Sequence, residues 1–156
     1  MEMSRGLVTA GFVVVVVGYA VLSTRWVSAH PGWYAGLRKP WFQPPDLVFA
    51  VIWPLNFLAL LVVGVGVGWT SPVGESGPAL GVLSVSVALA LGWAYLFYVP
   101  HRLPAAAVLL SLAAAATWWW VVLAGQVGLG WGLALAPYAA WLSTAAALSW
   151  GYVRLN

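Results

Sequence analysis

Residues 46–69 read DLVFAVIWPLNFLALLVVGVGVGW, and this stretch decides the fold. Its only charge is Asp46 at the start, and the only amide side chain after it is Asn56. A helix of this length covers about 36 Å, enough to cross the roughly 30 Å hydrocarbon core of a bilayer. A membrane β-strand would alternate apolar and polar residues over about ten positions, whereas this run is continuously apolar. Four more runs of the same kind lie on either side of it, at Arg5–Trp26, Leu80–Val99, Pro104–Gln126 and Leu129–Val153. The expectation is an all-α integral membrane protein, a five transmembrane helix bundle forming one domain over residues 1–156, with a long loop at Val27–Pro45. Composition agrees: 63% of the chain is apolar and 6% charged, where a soluble domain carries about a quarter of its residues charged. Arg5, the apolar run and Val27-Ser28-Ala29 also fit a cleaved leader. The apolar core of about seventeen residues is longer than such leaders use, so the run is read as the first span.

The few charges are informative by position. An odd number of spans puts Glu2, Arg5 and Glu75 on one face and Arg25, Arg38, Lys39, Asp46, His101, Arg102 and Arg154 on the other. The excess of Lys and Arg on the second face predicts that the long loop and the carboxyl terminus are cytoplasmic. Most of these charges need no role beyond anchoring span ends among lipid headgroups. No basic run exists to follow a phosphate backbone, so nucleic acid is not a partner. The chain has no cysteine, which excludes disulfides, thiolate metal sites and cysteine nucleophiles. No acid or histidine falls well inside a span, which argues against ion-coupled transport and against acid–base catalysis. No metal-ligand spacing stands out. His30 and His101 share a face, where unligated interfacial histidines are the ordinary outcome and ligation of a metal or haem iron is the alternative.

The surplus is tryptophan, twelve in all. Trp26, Trp69 and Trp150 lie at span ends, where indoles sit at headgroup level. Trp118, Trp119 and Trp120 point about 100° apart around one helix and cannot line one cavity. Trp53 and Trp93 both fall about 10 Å below the long-loop face, Trp141 about 18 Å below it, and Tyr19 can reach the upper level. Tyr138, Trp141, Ala145 and Leu148 share one side of the last helix by their spacing. Two readings are open: the rings fill the bundle core, or they wall a cleft beneath the long loop, suited to a large flat apolar ligand.

The loop Trp33-Tyr34-Ala35-Gly36-Leu37-Arg38-Lys39-Pro40-Trp41-Phe42-Gln43-Pro44-Pro45, followed by Trp53, resembles the W-Y-x-x-L-x-K-P-x-W-x-P-P…W signature of the TspO/translocator protein family. These are the tryptophan-rich sensory proteins, also called peripheral benzodiazepine receptors. Pro137-Tyr138-Ala139-Ala140-Trp141-Leu142, with Ala145 and Leu148, is similar to that family's P-Y-x-x-W-x-x-x-A-x-x-L-N segment. The resemblance spans nearly the whole chain. It implies a homodimer in lipid that binds porphyrins, sterols and benzodiazepine-like ligands in a pocket under the first loop. No cofactor is required, and porphyrin or haem enters as ligand.

Carried over by position, the implied pocket residues are Ala50, Ile52, Trp53, Trp93, Trp141, Ala145 and Leu148, which Tyr19 and Tyr138 join from the depth argument. The long ring-rich loop is read as a lid, so the expected lid and mouth are Trp33, Arg38, Lys39, Pro40, Trp41, Pro44, Pro45 and Arg102, with Arg38, Lys39 or Arg102 meeting a ligand carboxylate. The chain departs from the family at Phe42, and at Ala90 and Ser149, where the family carries Asn. Losing both amides weakens the case for polar ligand recognition. Leu148, Tyr152 and Arg154 fit a proposed sterol-contact pattern that also arises readily by chance. Gly64 and Gly68 allow close helix approach, within the bundle or across a dimer. The alternatives to a binding protein are an enzyme of light-dependent porphyrin degradation using Trp53 and Trp141, and a passive transporter or partner-regulating protein.

Overall fold

The computed structural model describes residues 2–156, with side chains from Ser4 onward. Among the described residues there are six α-helices and no strand: α1 (Glu2–Val27), α2 (Pro31–Ala35), α3 (Asp46–Thr70), α4 (Val73–Tyr98), α5 (Leu103–Val127) and α6 (Leu129–Leu155). The sixth helix arises because the long loop is not all loop. Pro31 sits in the first turn of α2, where its missing N–H is no loss, and Gly36 closes the turn with its N–H on carbonyls of the preceding residues.

The one substantial boundary error lies at α4, which begins at Val73 and not near Leu80. Pro72, Gly74, Gly77 and Pro78 read as a break, yet Pro72 serves as the N-cap residue and Pro78 is accommodated inside the helix. Glu75 lies in the first turn, where a negative charge favours the exposed amides of a helix start. The N–H groups of Glu75 and Ser76 both reach the Pro72 carbonyl at 3.0 Å, and the Ser76 hydroxyl donates to the same oxygen at 3.2 Å.

The long helices close a ring. α1 packs against α3 and α4, α4 against α5, α5 against α6, and α6 returns to α3 along the loosest of these seams. Small residues permit the tight seams. Ala106, Ala107, Ala113 and Ala124 of α5 are fully buried, and a Cβ on Gly132 of α6 would lie 2.9 Å from the Gly125 Cα of α5. Such close approach strengthens van der Waals packing where lipid supplies no hydrophobic drive between helices. Gly64 and Gly68 of α3 face Phe12 and Thr9 of α1, at 3.0 and 2.7 Å from a built Cβ. The glycine pattern therefore seats α1 on α3 inside the molecule. Phe12 in turn stacks on Trp120 of α5, with centroids 6.3 Å apart, so Trp120, the last of the tryptophan triplet, is core while Trp118 and Trp119 remain exposed.

Four of these helices, starting from Ser4, Asp46, Val73 and Leu103, are long and apolar enough to cross a membrane. α6 is as long at 27 residues, but Gly, Ser, Thr and Tyr dilute its hydropathy. Leu47, Val51, Leu55, Leu58 and Val62 form one exposed apolar stripe along α3, as expected of a face turned to lipid. Inside, the hydroxyls of Ser86 and Thr117 lie 2.6 Å apart and share the Ala113 carbonyl, which satisfies them where water has no access.

Candidate functional site

Beneath α2 the ring is hollow. A cavity of about 360 Å³ is walled by Tyr19 of α1, Phe49, Trp53 and Phe57 of α3, Trp93, Phe97 and Tyr98 of α4, and Ala145, Leu148, Ser149 and Tyr152 of α6. The rings brace one another across helices. Tyr19 meets Trp53 edge-on at 6.4 Å and Phe57 at 5.2 Å, and Trp93 lies 5.8 Å from Phe97. Aromatic pairs in such edge-on and tilted geometries attract one another and so help hold each ring's orientation on the wall. Ala90, Ala94 and Ala145 keep the volume free, since each presents only a methyl group to it.

The roof is polar. The Tyr152 hydroxyl donates to Gln43 Oε1 and lies 3.1 Å from the Tyr34 hydroxyl, which also accepts from Gln43 Nε2 at 3.4 Å. On the wall, Trp93 Nε1 donates to Ser149 Oγ at 3.2 Å. The exposed members of the lining are Thr24, Val27, Ser28 and Asp46. They mark the mouth where the last turn of α1 faces the first turn of α3. Asp46 is paired with Lys39 at 3.8 Å, a surface contact of small energetic weight.

The segment over the cavity is fastened to the end of α6. The Arg38 N–H donates to Asn156 Oδ1 at 2.9 Å, and Asn156 Nδ2 donates back to the Arg38 carbonyl at 3.1 Å. Buried Pro40 lies on Gly151, where a Cβ would come within 2.6 Å of the Pro40 ring. Trp33 packs on Phe97 at 5.6 Å, Pro45 is the N-cap residue of α3, and Trp41 points away, 94% exposed.

Of the expected pocket residues, Tyr19, Trp53, Trp93, Ala145 and Leu148 line the cavity and Ala50, Ile52, Tyr138 and Trp141 do not. On α3 the lining positions are Asp46, Phe49, Trp53 and Phe57, one face at helical spacing; Ala50 and Ile52 lie to either side of it. Tyr138 is on the cavity side of α6 but deeper, fully packed in the core. Trp141 packs edge-on against Phe49 at 5.4 Å, and Phe49, not the indole, lines the cavity.

Arg38, Lys39 and Arg102 are not lining residues, and the charge at the mouth is Asp46. Leu148 and Tyr152 point inward while Arg154 is exposed, so the sterol-contact pattern forms no common outward face. Phe49, Phe57, Phe97, Tyr98, Tyr34 and Gln43 were missed. The four-residue step from Trp53 to Phe57 and from Trp93 to Phe97 was the available signal. Ala90 and Ser149 do line the cavity, and the Ser149 hydroxyl is engaged by Trp93. Among the described residues no group of three or more His, Cys, Asp or Glu side chains could hold a metal ion.

A ring of apolar helices around an aromatic cavity, roofed by a Pro-rich segment, defines a helical membrane protein built around a hydrophobic chamber. The chain matches the model of the TspO/MBR family over residues 10–155 and belongs to that family. It is an integral membrane protein. It is 29% identical over 147 residues to Protein CrtK of Rhodobacter capsulatus, covering 93% of this chain and 92% of the relative. A Translocator protein of Sus scrofa is 34% identical over 127 residues, covering 80% and 75%. A Tryptophan-rich sensory protein of Cereibacter sphaeroides is 28% identical over 124 residues, covering 80% and 77%.

Proposed function

We propose that this protein is a membrane receptor for flat hydrophobic molecules, with porphyrins as the leading class and sterol-like or benzodiazepine-like compounds sharing the site. One observation carries the reading: an aromatic cavity of about 360 Å³ that has a polar roof and a mouth beneath a fastened lid. That volume falls within the usual range for small-molecule sites, roughly 300–1,000 Å³. It lies near the lower end, so a tetrapyrrole leaves its polar edge at the mouth while a smaller planar guest is enclosed. The guest lies against Trp53, Trp93 and Phe97, and the Tyr34, Gln43 and Tyr152 groups serve a carbonyl or hydroxyl. The propionates of a porphyrin remain in solvent at the mouth, where Lys39 pairs with Asp46 and offsets its negative charge.

In this reading all the long helices span the bilayer, α6 included, because its length and its place in the ring match those of its neighbours. Arg25, Arg38, Lys39, Arg102 and Arg154 gather at the lid end, an excess of positive charge that supports a cytoplasmic lid and carboxyl terminus. The protein assembles as a homodimer in the membrane. Light-driven degradation of a bound porphyrin by Trp53 and Trp141 together is the less favoured reading, since Trp141 does not line the chamber. Protoporphyrin IX titrated into detergent-solubilised protein should quench tryptophan fluorescence saturably, with one site per chain. Quenching that rises linearly without saturation, as for partition into the micelle, would rule out the chamber.

A further inference from the structure

At the outer edge of the lid, apart from the chamber, the chain's two histidines come together. His30 is the N-cap residue of α2 and His101 lies in the turn between α4 and α5. Their ring centroids are 5.4 Å apart, with the planes 66° from parallel. Two imidazoles bound at about 2.0–2.1 Å to one tetrahedral ion bring their ring centres to about 5 Å, so the pair is already spaced for a shared metal.

Three further features fit ligation. His30 Nδ1 lies 2.9 Å from the Tyr98 carbonyl. A carbonyl only accepts, so Nδ1 carries the proton and Nε2 keeps its lone pair. A histidine that donates its other ring N–H to a backbone carbonyl is the usual support of a metal ligand. His101 Nε2 is buried and has no hydrogen-bond partner, a condition that a coordinate bond would relieve. His101 is also the one non-glycine residue with positive φ among those described, at 58°. Its ring is clamped by Trp33, stacked at 3.8 Å and 16°. The neighbouring structure thus holds this side chain in an uncommon backbone conformation, as happens where a position is dictated by more than packing.

We propose that His30 and His101 form a two-imidazole site for a divalent transition ion, zinc or copper, with water completing the coordination. Imidazole-only ligation suits these borderline ions and not magnesium or calcium, which require oxygen ligands. Because His30 precedes the lid helix and His101 belongs to the α4–α5 turn, the ion would tie the lid to the bundle.

The test uses tag-free protein in detergent, since the chain has two histidines and no cysteine to bind such ions otherwise. Calorimetric titration with Zn²⁺ in excess Mg²⁺ should give one ion per chain. His30→Gln and His101→Asn should each weaken binding by about tenfold or more; Asn tolerates the left-handed backbone at His101. Copper bound to the unaltered protein should show nitrogen couplings from two imidazoles in its electron paramagnetic resonance spectrum. Zinc should also slow amide exchange across Pro31–Leu37. Absence of saturable zinc binding, binding that survives either substitution, or copper coupled to fewer than two imidazoles would overturn the proposal. None of these readouts depends on the chamber holding a ligand.

Discussion

Trp53→Ala is the substitution that tests the chamber most directly. Trp53 lines the cavity from α3 and is braced by Tyr19 edge-on at 6.4 Å and by Phe57 at 5.9 Å. Truncation removes the stacking surface for a guest and releases both bracing rings. Stacking of a flat ring on an aromatic side chain is worth about 1–3 kcal/mol by alanine substitution. At 1.4 kcal/mol per factor of ten, the dissociation constant for protoporphyrin IX should rise roughly 5- to 150-fold. The same titration on Trp141→Ala should show a change of about threefold or less, because its indole lies against Phe49 and outside the lining. Circular dichroism melts would confirm that both variants fold. If Trp53→Ala binds within twofold of the unaltered protein, or if Trp141→Ala loses more affinity than Trp53→Ala, the chamber drawn from these walls is wrong.

Other substitutions probe the seams and the lid. Gly132→Ala pushes a methyl group to 2.9 Å from the Gly125 Cα and 3.0 Å from the Val121 carbonyl; backbone cannot yield as a side chain can, so a loss of about 1–3 kcal/mol is expected in a thermal or denaturant melt in detergent. Gly130→Ala on the same helix meets nothing within 4 Å and should be neutral or slightly stabilising by that assay. Gly151→Val drives into the rigid Pro40 ring, within 2.6 Å of the new Cβ, and should raise amide exchange in residues 37–43 while leaving α5 unchanged. Ser86→Ala removes one hydroxyl from the buried Ser86–Thr117–Ala113 cluster but leaves Thr117 its bond to Ala113; a loss of about 0.6–1.5 kcal/mol is expected in the melt.

The protein's membrane character was legible residue by residue. A continuous apolar run such as Leu47–Trp69 commits its backbone to a helix, because in lipid every N–H and C=O must be satisfied within the segment. Four of the five expected spans begin within three residues of the observed helices; α4 alone starts seven early. The α4 start was hidden because Pro and Gly read as punctuation, while helix entry there depends on the local bonds of Glu75 and Ser76 to Pro72.

The chamber was only half legible. Depth along a helix follows from counting, and Trp53, Trp93 and Tyr19, singled out on that ground, line the cavity. Rotation about the axis was readable within a helix, so the step from Trp53 to Phe57 and from Trp93 to Phe97 pointed to the missed rings. Which neighbour fills a given direction was not. Trp141 has the spacing of a lining residue, but Phe49 of α3 packs against its indole at 5.4 Å and lines the cavity in its stead. The polar roof joins Tyr34, Gln43 and Tyr152 across 109 and 118 positions of sequence, and the two histidines meet across 71 by subtraction of their numbers. By itself the sequence determined that the chain enters a bilayer as helices and which of its rings lie near one level, since both follow from hydropathy and rise per residue. The tertiary structure alone decided which rings face the hollow, what closes it and what meets at its rim, because those depend on how separate helices are rotated and tilted against one another.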